Sequence, residues 1–200
     1  MAAVPSTIRA GQAPADADPL ARRREGALVR AAQRGDAAAF EALFRAHWPM
    51  AHRAAWLIVR DERLAEDIAQ EAFVAAAGAL DRFDRRRPFA PWLRTIVARR
   101  AIDAARAVAV RREVGDEALA GLGTAAAPPD LPDAQLLAAL AALPLDQRAV
   151  IVLRHLLGMT PGEIAGALDL PRGTVNSRLR RGLDALRPAA GEGEGDGEHF

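Results

Sequence analysis

Asn176, Ser177, Arg180 and Arg181 fall on one face of a segment whose other face carries Val175, Leu179, Leu183 and Leu186 at helical spacing. Arg172 opens that segment and Arg178 sits on its flank. From Pro171 to Arg187 there are five arginines against one acid, Asp184. A surface helix built of amide, hydroxyl and guanidinium groups has the chemistry to bind DNA. The residues just before it agree. Thr160, Pro161 and Glu163 form a helix start: a hydroxyl cap, a proline at the first helical position and a capping-box glutamate. Ile164, Ala165 and Leu168 give this first helix an apolar face, and Asp169-Leu170-Pro171 interrupts it. The predicted unit is a helix-turn-helix whose second helix, from about Arg172 to about Arg187, lies in a major groove.

A second basic stretch lies upstream. Residues 82–112 hold ten arginines against Asp84 and Asp103. Such a stretch attracts phosphates and releases counterions, giving affinity without sequence preference. Its aromatic residues Phe83, Phe89 and Trp92 are of the type that holds or stacks unpaired bases, a place in the core being the alternative for Phe83 and Trp92. By contrast, residues 61–76 carry five acids against Arg63, with Leu64, Ile68 and Ala72 facing inward, and a negative helical face of this kind suits an arginine-rich partner. The formal net charge of +1 therefore averages over segregated regions of opposite sign.

Catalytic chemistry is not expected. His47, His52, His155 and His199 make no metal pair at four-residue spacing, no glycine-rich phosphate loop is present, and the carboxylates cluster on one exposed helix. The absence of cysteine excludes disulfides, thiol catalysis and cysteine-ligated zinc. No catalytic residue, metal or cofactor is expected. No apolar run is long enough to span a bilayer and the amino end lacks a signal-peptide core, so the expectation is a cytoplasmic protein without membrane insertion.

The elements that must position these groups are all helical, with no strand-like alternation. Residues 1–25 are read as a disordered extension and order is expected from Gly26. Phe40, Leu43, Phe44 and Trp48 follow the helical interval, Pro49 permits a bend, and Trp56, Leu57 and Val59 continue the helix to Arg60. A further helix begins near Pro91. Residues 26–112 thus form one helical domain, and residues 113–132, rich in glycine, alanine and proline, a flexible linker. Residues 133–187 form a second, four-helix domain of winged-helix-like type ending in the helix-turn-helix. Residues 188–200 form an acidic disordered tail.

In this order and spacing, three motifs resemble those of bacterial RNA polymerase sigma factors of the extracytoplasmic-function (ECF) type, over about 70% of the chain. They are Asp67-Ile68-Ala69-Gln70-Glu71-Ala72-Phe73, the run from Phe89-Ala90-Pro91-Trp92-Leu93 to Ala101-Ile102-Asp103, and the run from Leu143-Pro144 to Arg178-Leu179. The resemblance implies an adaptor that binds core polymerase (its largest and second-largest subunits) and promoter DNA, and that is held silent by an anti-sigma factor. On this reading Asp67, Gln70, Glu71 and Phe73 contact the polymerase. Phe83, Arg86, Phe89, Trp92, Arg94, Arg99 and Arg106 serve the minus-ten element, the loop from Phe83 to Phe89 capturing a flipped base. Arg99 stands where the family commonly has asparagine. Asn176, Ser177 and Arg180 lie at base edges of the minus-thirty-five element, which fits the pairing of asparagine with adenine and arginine with guanine. Arg172, Thr174, Arg178 and Arg181 set register through phosphates. The rival reading is a stand-alone helix-turn-helix regulator with a helical sensor domain, which leaves the acidic helix and the upstream arginines without a task.

Overall fold

The computed structural model describes residues 19–113 and 134–188. The expected linker, apart from Glu113, and the acidic tail beyond Pro188 lie outside the described residues. Among the described residues eight α-helices follow one another: α1 (Pro19–Ala32), α2 (Ala37–Val59), α3 (Glu62–Ala79), α4 (Phe89–Glu113), α5 (Ala134–Ala142), α6 (Leu145–His155), α7 (Pro161–Leu168) and α8 (Arg172–Leu186), with one 3-10 turn at Leu80–Arg82. No strand occurs among the described residues.

Side-chain caps set the main boundaries. Asp36 accepts from the Ala39 amide at 3.1 Å and starts α2, and Asp61 accepts from the Leu64 amide at 2.8 Å and starts α3. Thr160 and Glu163 complete the reciprocal capping box of α7. α2 continues through Pro49 and closes at Arg60, a left-handed residue at φ 60° whose guanidinium lies 3.9 Å from the centre of the Trp56 ring.

α1 corrects an expectation. Helix begins at Pro19, inside the segment read as disordered, because proline is tolerated in a first helical turn and the following arginines are good helix formers. Tertiary contacts fix it: Glu25 meets Nε2 of His47 at 2.9 Å, and Val29 is buried in the core. At its end Gln33 donates to the carbonyls of Leu80 (2.8 Å) and Phe83 (3.0 Å), tying the first helix to the loop before α4.

The first helical group packs Leu43, Trp56, Ile58, Ile68, Leu93 and Val97 between α2, α3 and α4. The second packs Val150, Leu153, Ile164, Val175 and Leu186. Here α8 crosses close to α6 at Gly182, where an added Cβ would meet Cγ1 of Ile151 at 3.0 Å. The two groups touch, α4 against α7 and α2 against α6.

Candidate nucleic-acid interface

On α8 the apolar stripe of Val175, Leu179 and Leu186 is buried, which turns Arg172, Asn176, Arg180 and Arg181 outward. Thr174 and Ser177 are half-buried beside them. Arg181 donates from Nη2 to Oγ of Ser177 at 2.7 Å, so the hydroxyl and the guanidinium are held together on one turn. Arg178 behaves differently. Its Nη2 lies 2.6 Å from Oδ2 of Asp146 on α6, and the side chain is largely shielded. Arg178, expected at a phosphate, is spent here on anchoring the recognition helix to its scaffold, an intramolecular pairing that helical periodicity does not reveal.

The basic region of α4 and its preceding loop is less uniform than its charge suggests. Phe83 is 8% exposed and Phe89 2%, and their rings meet edge-on with centroids 5.9 Å apart. Neither ring presents a face to solvent, so both, expected to stack on bases, are core residues in this structure; a buried ring would forfeit its apolar burial to reach a base. Trp92 is half-buried, 4.6 Å from Phe83 and 5.5 Å from Phe89, and is the most accessible of the three. Arg86 and Arg106 are exposed, and Arg94 is half-buried. Arg99 donates to protein carbonyls of α7, Nε to Ala167 at 3.0 Å and Nη2 to Gly166 at 3.2 Å.

Beneath the loop a cavity of about 230 Å³ lies between α1 and residues 83–89, with Arg22, Glu25, Gly26, Arg85, Arg86 and Arg87 in its walls. The contribution of Arg22 and Glu25 escaped the sequence reading because order was expected only from Gly26. The arginines suit a phosphate and the cavity walls suit a base or sugar.

The acidic face of α3 presents Asp67, Gln70 and Glu71 to solvent. Phe73, expected at the polymerase, does not join them: it is 3% exposed and packs on Phe44 with centroids 4.7 Å apart, which makes it a core residue in this structure. The residue missed is Val74, 73% exposed one turn beyond Gln70 and Glu71. An open apolar side chain rimmed by Asp67, Glu71 and Arg100 has the anatomy of a protein-docking patch. Arg100 reaches from α4 to Oε2 of Glu71 at 3.3 Å, so the acidic and basic helices are joined at their exposed edges. Among the described residues there is no group of acids and histidines able to hold a metal ion and no helix long and apolar enough to cross a membrane.

Comparison with known proteins places this geometry. Residues 43–111 match the model of sigma-70 region 2, and residues 133–186 match that of sigma-70 region 4. The chain is 31% identical over 173 residues to the ECF RNA polymerase sigma factor SigW of Bacillus subtilis (strain 168), an alignment covering 80% of this chain and 92% of that one. It is 34% identical over 163 residues to the RNA polymerase sigma factor CarQ of Myxococcus xanthus, covering 77% and 90%. Among solved structures, CnrH in complex with the cytosolic domain of CnrY is similar at a TM-score of 0.59 and 30% identity, covering 82% of this chain and 96% of that one. The sigma factor RpoE of Bartonella quintana, in complex with the anti-sigma factor NepR, is similar at 0.61 and 26%, covering 75% and 95%. With a surface-facing acidic helix and an outward-facing basic recognition helix on a scaffold shared with these proteins, the chain belongs to the sigma-70 family as an ECF-type, promoter-directing sigma factor of RNA polymerase.

Proposed function

We propose that the three exposed faces divide the labour of initiation. Asp67, Gln70 and Glu71 on α3, with Val74 among them, dock the chain on core polymerase. The loop before α4, with Arg86, Trp92, Arg94, Arg99 and Arg106, grips the minus-ten strand as it unpairs. On α8, Asn176, Ser177 and Arg180 read the minus-thirty-five duplex while Arg172, Thr174 and Arg181 hold phosphates. The observation that carries this reading is the opposite charge of two outward faces, acidic α3 and basic α8, within one sigma-70 chain. A regulator working alone has no use for the first.

The domain division follows from it: residues 26–112, now with α1 from Pro19, serve polymerase and the melted strand, and residues 133–187 serve the duplex. All nucleotide chemistry belongs to the polymerase, so the chain is a non-catalytic, cytoplasmic factor. Its silencing partner is an anti-sigma factor, a reading supported by structural neighbours solved with such partners.

Replacing Gln70 and Glu71 together by lysine tests the docking face. Both side chains are exposed, so helix content should be unchanged while core binding is abolished and promoter-directed transcripts disappear in a reconstituted assay. Unchanged affinity for core would remove α3 from the interface. Wild-type chain that binds promoter duplex specifically yet never joins core would establish the stand-alone regulator instead.

A further inference from the structure

The cavity of about 230 Å³ has two walls of different origin. One is the loop before α4, with Arg85, Arg86 and Arg87; the other is α1, with Arg22 and Glu25. The match to sigma-70 region 2 begins at residue 43, so the second wall stands outside it. The two are nevertheless one body. Val29 of α1 is buried, and Nε2 of Gln33 donates to the carbonyls of Leu80 and Phe83, which pins the end of α1 to the start of the loop. Arg22 is exposed and is followed by Arg23 and Arg24, exposed as well.

The acid in this ring of guanidinium groups does not quench it. Glu25 sits one turn after Arg22, and a carboxylate so placed would ordinarily pair with the cations around it. Instead its Oε1 meets Nε2 of His47 on α2 at 2.9 Å, with both side chains largely shielded, at 18% and 16% exposure. Arg85, Arg86 and Arg87 pair with no acid among the described residues, and Asp84 is occupied in accepting from the Arg86 amide at 3.0 Å. Guanidinium groups gathered round an opening, with their acid turned aside, form a site for an anion. The apolar floor of Val29, Phe83 and Phe89 makes that anion part of a larger molecule.

We propose that α1 is a strand clamp, in which Arg22 takes a phosphate of the unpaired minus-ten strand across the cavity from the arginines of the loop. The inference rests on the sigma-factor reading given above, and it adds a DNA-binding residue outside the part of the chain that the region 2 match covers. Chemistry favours phosphate over a base edge. Reading a base needs one donor pattern held in register with one nucleotide, whereas guanidinium groups on facing walls offer charge-assisted bonds to the oxygens of successive phosphates. A nucleotide whose base enters the cavity carries a phosphate on either side of its sugar, and the two walls offer cations to both. Arg23 and Arg24, next along the helix, add to the field that draws the strand in.

The test uses the full-length chain assembled with core polymerase, on a promoter fragment which that holoenzyme selects from a random-sequence pool. Two forms are compared: a fork whose minus-ten segment is unpaired, and a duplex that ends after the minus-thirty-five element. On the fork, Arg22→Ala should weaken binding on the order of tenfold and reduce the salt slope by about 0.7, the share of one phosphate contact on a single strand. On the duplex it should change nothing. Arg22→Lys should restore the slope, because lysine still neutralises a phosphate. Arg45→Ala removes the same charge from an exposed site on α2 paired with Glu41, and should leave binding to both forms as in the wild type. Alanine is the better helix former, so Arg22→Ala leaves α1 intact, as circular dichroism checks. Wild-type affinity and slope for Arg22→Ala on the fork, equal losses on fork and duplex, a slope that Arg22→Lys does not restore, or the same loss from Arg45→Ala overturns the clamp and leaves promoter-directed initiation standing. A holoenzyme that selects no promoter removes the functional reading, and the clamp with it.

Discussion

α4 and α8 are both arginine-rich helices of one small protein, and they spend their arginines differently. On α8, Arg172, Arg180 and Arg181 stand in solvent, Arg181 with its Nη2 on Oγ of Ser177, and Arg178 is committed to Asp146. On α4, Arg99 is held by carbonyls of α7 and Arg100 by Glu71, while the aromatic residues of the preceding loop and first turn build a core cluster. A duplex reader can be finished before DNA arrives, because the major groove accepts a preformed helix. On the roles proposed above, a strand-melting surface meets its ligand only after base pairs open, and Arg99 and Arg100 are engaged within the protein until then. Charge density along the sequence is similar in the two helices; readiness is not.

The largest expected effect tests the core status of the aromatic cluster. Phe89 lies at the start of α4, buried against Phe83, Trp92 and His47. Phe89→Ala should destabilise the first helical group by about 3–5 kcal/mol, read as a lowered denaturation midpoint. Wild-type stability combined with defective promoter melting would show instead that the ring works on DNA, and α4 would then resemble α8 in readiness.

A smaller and more discriminating effect separates base reading from phosphate holding. Arg180→Ala on α8 should cost about 1–3 kcal/mol of discrimination at one base position of the upstream element. Arg106→Ala on α4 should weaken binding to every promoter alike and reduce the salt slope by about one unit. Competition binding across single-base variants at two or more salt concentrations measures both. Uniform losses for Arg180→Ala would make it another phosphate contact and erase the functional distinction between the two helices.

How far the chain could be read in advance follows the same division. Local signals were legible: the caps at Asp36, Asp61 and Thr160, the apolar stripes of α3 and α8, and the exposed acidic and basic faces all act within one or two helical turns. Contacts across long separations were not. Arg148 lies 90 residues from the carbonyl of Ile58, and Arg99 lies 68 from that of Ala167, and no periodicity reports that an arginine will cap a distant helix. The early start of α1 was hidden for a related reason: a segment of mixed Ala, Pro, Asp and Arg has little apolar pattern, and Pro19–Glu25 is helical largely because its neighbours fix it. Gly182 signalled only smallness, and its purpose is the close approach to Ile151.

The smallest effect concerns histidine, and it too contrasts the two helical groups. In the first, Nε2 of His47 lies 2.9 Å from Glu25 and that of His52 lies 3.3 Å from Glu62. In the second, His155 at the end of α6 has its Nε2 buried without a hydrogen-bond partner. Burial first, and the charge of neighbouring Arg154 second, hold its folded-state pKa below the ordinary histidine value of 6.5. The unfolded chain therefore binds this proton more readily than the folded one. The stability tied to neutral His155 is fully present above the unfolded value and is lost as pH falls through it toward the lowered folded value. Thermal midpoints followed from about pH 7.5 to about pH 5.5 should fall for the wild type and fall less steeply for His155→Leu. Parallel slopes would assign the acid sensitivity to other groups and leave His155 an ordinary helix-end residue.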